Sequence, residues 1–261
     1  MSLPTNTRRG FTLVELSIVM VIIGLICGGI MVGRELIRST ELTSVTTDLK
    51  RFQTAHNSFR MKYKALPGDM KNASQYWPTQ CVNYNAGNQC NGNGDGRIGG
   101  GSYPFENMRY FQHLALAGMI PGTFSAINTL DFSAFQEDQY AGTATPLSQV
   151  NGAHYAPSAA DYHFEYAPRI YNLAMILGRF DYNNGDNLGA FISPREAYSI
   201  DIKFDDGIAY KGWIHSYGGW DSNGDSQAEK CQDGSNGYGL YDRENYKMNG
   251  NDIACDMWFM N

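Results

Sequence analysis

The sequence predicts an α+β protein, in which a long N-terminal helix precedes a globular C-terminal head. Three observations favour this fold. An apolar run fills residues 11–32, an apolar stripe of helical period continues to residue 63, and residues 65–261 contain both helix and strand signals. The first half of the helix is expected to span a membrane, and the head is long enough to bury a core of its own.

The apolar run has the length of a membrane-spanning helix. Residues 11–32 contain no Lys, Arg, Asp or Pro, and Glu15 is their only charged residue. At 1.5 Å per residue the run extends roughly 33 Å, which covers the hydrocarbon core of a bilayer. Because Arg8 and Arg9 precede it, the positive-inside rule places residues 1–10 in the cytoplasm and the head across the membrane.

Two other export signals fit the start of the chain less well. A cleavable signal peptide ends in an Ala-x-Ala-like site after its apolar region, whereas this chain continues Gly33-Arg34-Glu35. A lipoprotein signal has a small residue before its cysteine, whereas Ile26 precedes Cys27. We therefore expect a membrane helix that stays in the protein.

A carboxylate inside a membrane span carries an energetic cost. Insertion scales give roughly 2.5–3.5 kcal/mol for an ionised side chain at the centre of the bilayer. Glu15 lies one turn into the span, so one interpretation places it near the lipid headgroups. The other is that a protease cuts after Gly10, and that Glu15 then neutralises the freed amine of Phe11 on a neighbouring subunit.

The residues around this carboxylate form a specific motif. Arg9-Gly10 followed by Phe11-Thr12-Leu13-Val14-Glu15-Leu16 resembles the cleavage and methylation motif of type IV pilins and type II secretion pseudopilins. The resemblance implies cleavage between Gly10 and Phe11 by a prepilin peptidase, N-methylation of Phe11, and a role for Glu15 in filament assembly. The proline that many major pilins have in the second half of the span is absent, and the glycines at 28, 29 and 33 could loosen the helix instead.

The resemblance also implies an organisation for the whole chain. Residues 1–10 would be the leader peptide, 11–33 the transmembrane and assembly helix, 34–64 its amphipathic continuation, and 65–261 a pilin-like head with an antiparallel sheet on which the helix packs. The protein would cross the bacterial inner membrane once, with its head in the periplasm, before entering a pilus or pseudopilus. Its partners would be other pilin or pseudopilin subunits, the prepilin peptidase and the inner-membrane assembly platform.

The helix is expected to continue beyond the membrane. An apolar stripe with alternating spacings of three and four residues indicates one buried helix face. The stripe consists of Leu42, Val45, Leu49, Phe52, His56, Phe59 and Tyr63. Within it, His56 is interpreted as a packed or hydrogen-bonded core residue, and Pro67 predicts that the helix ends near residue 64.

The head contains four further secondary-structure signals. Good helix formers and a following glycine predict a helix at Glu106–Ala117. Ser193-Pro194-Arg195-Glu196 forms a capping box, so we favour a helix there, although residues 198–204 also alternate like a strand. Residues 208–214 and 162–166 are the predicted strands.

Cysteine usage agrees with export to an oxidising compartment. Cys27 lies in the span, which leaves Cys81, Cys90, Cys231 and Cys255 in the head. Four cysteines allow three pairings, of which we favour Cys81–Cys90 and Cys231–Cys255 because each closes a local loop. A zinc site is the rival, but the chain has no Cys-x-x-Cys pair.

Three polar segments have the alternating oxygen ligands that calcium prefers. Asn91, Asn93 and Asp95 match the first half of an EF-hand-like loop, with Ser102 in place of the final Glu. A second set, richer in carboxylates, consists of Asp221, Asn223, Asp225 and Glu229, and the resemblance to pseudopilin heads supports a calcium site there. Residues 181–186 form the weakest candidate, and Asn-Gly and Asp-Gly also favour turns without any ion.

Composition argues against several functional classes. Lys and Arg number 20 against 26 Asp and Glu, a net charge of −6 that becomes −8 without Arg8 and Arg9. No basic cluster in the sequence indicates specific nucleic-acid binding. The chain has no HExxH, Gly-x-Ser-x-Gly or P-loop sequence, so we do not expect an enzyme.

The sequence therefore favours a structural subunit of a type IV pilus or type II secretion pseudopilus, processed after Gly10 and assembled through its helix. The alternative is a minor pilin whose head acts as a binding or adhesin module for a glycan, a surface or a secreted substrate. Trp213 and Trp220 could stack on glycans, although core packing of these aromatic residues is the favoured interpretation.

Overall fold

The structure, a computed structural model, confirms the α+β prediction: a long N-terminal helix precedes a globular part that contains a four-stranded antiparallel sheet. It describes residues 10–81, 90–98, 106–125, 143–150, 152–158, 174–179, 189–209, 211–218, 228–233, 245–248 and 252–260. The chain divides into two compact units, residues 1–41 and residues 42–261.

The described elements follow one another in a mixed order. The helices are α1 (Leu13–Tyr63), α2 (Ala73–Tyr76), α3 (Glu106–Leu116), α4 (Pro194–Phe204) and α5 (Ala228–Cys231). The strands are β1 (His154–Ser158), β2 (Ala174–Gly178), β3 (Ile214–Gly218), β4 (Gln232–Asp233), β5 (Asn245–Tyr246) and β6 (Cys255–Met260). The predicted helix at Glu106–Ala117 is thus confirmed, whereas the strand predicted at 162–166 lies outside the described residues.

The first part of α1 is an exposed apolar helix. Residues 10–32 are all exposed, and α1 passes through its glycines at 24, 28, 29 and 33 without a break. By length and composition α1 is long and apolar enough to cross a membrane. An exposed apolar surface of this extent needs lipid or protein around it, because water solvates it poorly.

The second part of α1 buries the predicted apolar stripe. Phe52 and Phe59 are fully enclosed, and the Phe52 ring meets the rings of Phe111 and Tyr155 at centroid distances of 5.2 and 5.0 Å. His56 is buried, with Nδ1 3.1 Å from the hydroxyl of Tyr110. The interpretation of His56 as a hydrogen-bonded core residue is confirmed.

The end of α1 has an unusual backbone. Lys64 follows the last helical residue with φ +56°, and it is the one non-glycine among the described residues with a positive φ. Helices commonly end in this left-handed conformation, but the residue there is usually glycine because a Cβ is strained. Pro67 follows shortly after and prevents the helix from continuing.

The sheet has the strand order β1-β2-β6-β3 with antiparallel neighbours throughout. The face of the sheet that packs on α1 is called the near face here. One buried cross-strand row on this face consists of Tyr155, Leu177, Met257 and Ser216. Because successive side chains of a strand point to opposite faces, Asp256 and Trp258 belong to the far face. The outer strand β1 contains Pro157.

The segment from 193 to 218 confirms one prediction and corrects another. Ser193 and Glu196 form the capping box of α4, so the helix is confirmed and the alternative strand at 198–204 is wrong. The strand predicted at 208–214 is also wrong, since β3 begins only at Ile214. The preceding residues turn instead: Asp205 accepts the N–H groups of Trp213 and Ile214, which holds this turn against the end of α4.

Two disulfides close local loops of the head. The structure joins Cys81 to Cys90 and Cys231 to Cys255, and all four residues are buried. The second bond ties α5 to the central strand β6. Among the described residues Cys27 is the free cysteine, and it lies exposed on the apolar part of α1.

Asp256 makes stability depend on pH. Burial raises the pKa of its carboxyl group from 3.8 to about 8, partly opposed by the hydrogen bond that Trp258 Nε1 donates at 3.2 Å. Between these values the folded chain holds a proton that the unfolded chain has released. The stabilising contribution is therefore complete below about pH 4 and is lost as the pH rises through about 8.

Asp256→Asn, which is neutral at every pH, should remove this dependence. Relative to the variant, the wild-type chain is expected to lose stability between pH 4 and pH 8, by at most about 1.4 kcal/mol per pH unit. Thermal unfolding of the full chain in a non-ionic detergent, followed by circular dichroism, measures the difference. Exposed Asp252→Asn is the control, and a wild-type-to-variant difference that stays constant with pH would contradict the assignment.

Candidate functional site

The start of α1 presents the residues of the predicted processing and assembly site. Phe11 is 90% exposed and directly precedes the helix. The Glu15 carboxylate accepts hydrogen bonds from both the backbone N–H and the hydroxyl of Thr12, each at 2.8 Å. In return, the N–H of Glu15 donates to Thr12 Oγ1 at 3.3 Å. This reciprocal pattern is a capping box, which starts the helix and partly satisfies the carboxylate.

Thr12 is a site residue that the sequence analysis missed. The signal was present, because Thr12-Leu13-Val14-Glu15 has the S/T-x-x-E spacing of a capping box just before an apolar run. Both bonds from Thr12 end on Glu15 Oε2. The second carboxylate oxygen, Oε1, accepts no hydrogen bond from the described residues and can receive another donor.

A buried carboxylate organises the loop in which one calcium site was predicted. Asp69 is 3% exposed, and it accepts backbone N–H groups from three successive loop residues, Gly94, Asp95 and Gly96. The backbone of the loop also lies very close to the backbone of Asp69, because a Cβ added to Gly92 would overlap it. In a backbone nest, successive N–H groups bind an anion. Here they bind the carboxylate of Asp69 instead.

The predicted ligands of this loop lie on its turns. Asn91 Oδ1 accepts the N–H of Ser74 at 2.9 Å, Asn93 Oδ1 accepts the N–H of Asp95 at 2.7 Å, and Asp95 Oδ1 accepts the N–H of Arg97 at 2.9 Å. Asn-Gly and Asp-Gly turns form such bonds without an ion. Asn93 Nδ2 also donates to Asp95 Oδ2 at 3.0 Å, so these two side chains are in contact, whereas Asn91 is bonded to Ser74.

A different set of oxygens does converge. One carboxylate oxygen each from Asp69, Asp95 and Glu106 lie within 4.8 Å of one another, a spacing at which they could hold a metal ion. Burial raises the pKa of Asp69, and the negative charge of Asp95 raises it further, although hydrogen bonds from the loop amides oppose both effects. The sequence analysis missed Asp69 and Glu106, because both lie outside the loop and only the fold brings them to it.

The structure does not describe most of the other predicted calcium ligands. Asp221, Asn223 and Asp225, and the weaker candidate at 181–186, lie outside the described residues. Glu229 belongs to α5. A further group, Asp201, Asp205 and Asp206, also has carboxylate oxygens within 4.8 Å of one another.

A crevice beside α1 contains an exposed tryptophan. This aromatic crevice, about 310 Å³ in volume, is lined by Thr46, Leu49, Lys50, Phe52, Gln53, Tyr110, Met175, Phe204, Trp213, Ile214 and Phe259. Trp213 is 59% exposed, so the expectation that it packs in the core is wrong. The turn before β3 explains this outcome, because Ile214 takes the buried position and leaves Trp213 at the surface.

Comparison with known proteins bears on the N-terminus alone. Residues 5–31 match the family described as the prokaryotic N-terminal methylation motif. No curated protein and no solved structure matches the chain. The motif implies assembly with other pilin subunits and processing by a prepilin peptidase, and it points to a structural protein. Residues 5–31, which include Gly10, Phe11 and Glu15, thus carry the signature of the type IV pilins and pseudopilins.

Proposed function

We propose that the protein is a structural subunit of a type IV pilus or a type II secretion pseudopilus, cleaved after Gly10 and assembled through α1. One observation carries the proposal: an exposed apolar helix begins with a single carboxylate that has a free acceptor oxygen. Its setting within the methylation motif supports the same function.

The proposed assembly step pairs charges between subunits. Cleavage after Gly10 leaves a positively charged amine on Phe11. When helices pack side by side, Oε1 of Glu15 receives this amine from a neighbour, while Oε2 keeps its bonds to Thr12. At 4 Å and an effective dielectric constant of 20, such a pair gains about 4 kcal/mol. The cost of a lone carboxylate in lipid is thereby offset only in the assembled state.

The proposed location follows from the helix and the motif. Before assembly, α1 would hold the subunit in the bacterial inner membrane, with residues 1–10 in the cytoplasm and the head in the periplasm. The partners would be other pilin or pseudopilin subunits, the prepilin peptidase and the inner-membrane assembly platform. We expect neither catalysis nor specific nucleic-acid binding.

Glu15→Gln separates capping from charge pairing. Glutamine at this position still completes a capping box, so the helix start should be retained while the pairing with Phe11 is lost. We expect normal processing but a reduction of roughly tenfold or more in the subunit recovered in sheared filaments. Thr12→Ala is the matched control, since it removes the cap and keeps the charge.

Mass spectrometry of the mature N-terminus checks processing in each variant. The wild-type chain and both variants should begin at Phe11 with an N-methyl group. Assembly of Glu15→Gln at the wild-type level would contradict the pairing, and a chain that begins elsewhere would contradict the function itself.

The aromatic crevice favours the alternative function, a minor pilin that binds a glycan, a surface or a secreted substrate. Its volume falls at the lower end of small-molecule sites, and its walls are aromatic, as in many such sites. Lys50 Nζ lies 4.9 Å from the centroid of Phe204, so a cation is also available at the wall. Trp213 lines the crevice with 59% of its surface exposed, so a ligand could contact its ring, and tryptophan is enriched among the residues that dominate binding energy.

Trp213→Ala should reveal such binding. If the head binds a glycan here, the variant should lose at least about tenfold in affinity on a glycan array probed with the detergent-solubilised full chain. Tyr76→Ala removes an aromatic side chain of similar exposure away from the crevice and serves as the control. Equal binding by both variants would exclude the crevice as the site.

Calcium binding is the third part of the proposal. Asp69, Asp95 and Glu106 supply the hard oxygen ligands that calcium prefers. A bound cation would relieve the repulsion between Asp69 and Asp95 and would stabilise the loop of residues 91–96.

Calcium should therefore raise the Tm of the full chain, since a ligand that binds only the folded state stabilises it by about 2.7 kcal/mol at 100 times its Kd. Exposed Asp95→Asn should abolish the shift, whereas exposed Asp252→Asn should leave it unchanged. A wild-type Tm that is the same in calcium and in EDTA would refute calcium binding.

A further inference from the structure

A concavity at the end of α1 gathers positive charge on a protein that is acidic as a whole. Arg60, Lys64 and Lys71 all line this basic concavity, whose volume is about 870 Å³. The chain carries a net charge of −6, so three cations at one place are a local exception. Among the lining residues in the described part of the chain, Asp69 is the one carboxylate.

The lining offers hydrogen-bond donors that have no partner among the residues the structure describes. None of the three cations forms an ion pair with a residue that the structure describes. Asn57 and Asn72, which also line the concavity, make no side-chain hydrogen bond within the described ranges. Both oxygens of Asp69 are already engaged by loop amides. The described lining therefore combines three cationic side chains and two amides with a single carboxylate, that of Asp69.

The helix dipole does not explain why Lys64 and Lys71 lie here. Basic residues in the last turn complement the helix dipole, which accounts for Arg60. Lys71 belongs to the following loop, and its aliphatic stem lies against Gly94, where a Cβ would overlap it. Lys64 occupies a left-handed conformation that favours glycine. Strained backbone positions of this kind cluster at functional sites.

We propose that the basic concavity binds a compact phosphate ligand, either free oligophosphate or a phosphate monoester on a small molecule. The Arg60 guanidinium matches phosphate oxygens with paired donors, and lysines add point charges. A long phosphodiester chain would fit an extended basic stripe, whereas these three residues line one concavity. This binding site is independent of the proposed assembly role of α1.

Calorimetric titration of the full chain in non-ionic detergent, low salt and EDTA tests the proposal. Pyrophosphate and glucose 6-phosphate are the two probes, and they distinguish free phosphate from a monoester. At least one should bind, with an affinity that falls as salt is added. Binding of neither probe, or binding of a single-stranded oligodeoxynucleotide alone, would overturn the proposal.

Lys64→Gly provides the most informative variant. It removes the charge and also relieves the backbone strain, so binding should weaken about fivefold or more while the Tm rises by about 2 to 4 °C. Lys71→Gln should weaken binding similarly without raising the Tm. Lys203→Gln removes an exposed charge from α4, outside the concavity, and is the control. Wild-type affinity in both Lys64→Gly and Lys71→Gln, or an equal loss in Lys203→Gln, would refute the site.

Discussion

The contact between the second part of α1 and the near face of the sheet is the constraint on which the head depends. Phe52 inserts between Phe111 of α3 and Tyr155 of β1 and so holds three elements with one side chain. Full burial of such a side chain contributes about 1.5–3 kcal/mol, and Phe59 adds a second anchor further along the helix. Without α1, the apolar row on β1, β2 and β6 would face water.

A second point of convergence lies below the end of α1. His113 of α3 accepts the N–H of Gly68 at 2.8 Å and lies 2.8 Å from the carbonyl oxygen of Cys90. Burial lowers the pKa of His113 to about 4, so the neutral ring can accept one bond and donate the other. Next to it, Asp69 gathers the amides of the 94–96 loop. The side chains of His113 and Asp69 thereby connect the segment after α1, the loop that follows Cys90 and α3.

The sequence predicted the features that depend only on residues close together along the chain. The stripe of α1 and the capping box of α4 each fit within one helix, and both were readable from spacing alone. The start of β3 was not, because a carboxylate at residue 205 pairs with amides eight and nine residues later. The group of Asp69, Asp95 and Glu106 was missed for the same reason, since Asp69 and Glu106 meet the loop of residues 91–96 only after folding. The exposure of Trp213 depends on that same turn.

Pro157 in the outer strand β1 has a consequence for subunits held at high local concentration. An edge strand offers unpaired amides to which the sheet of another molecule can add. On the outer side of β1, the N–H of Tyr155 already donates to the carbonyl oxygen of Pro146, and Pro157 has no N–H to donate. Sheet-to-sheet growth between heads is therefore discouraged at this edge. The exposed apolar part of α1 is then the surface left for association between molecules, and contacts made through it do not add strands to the sheet.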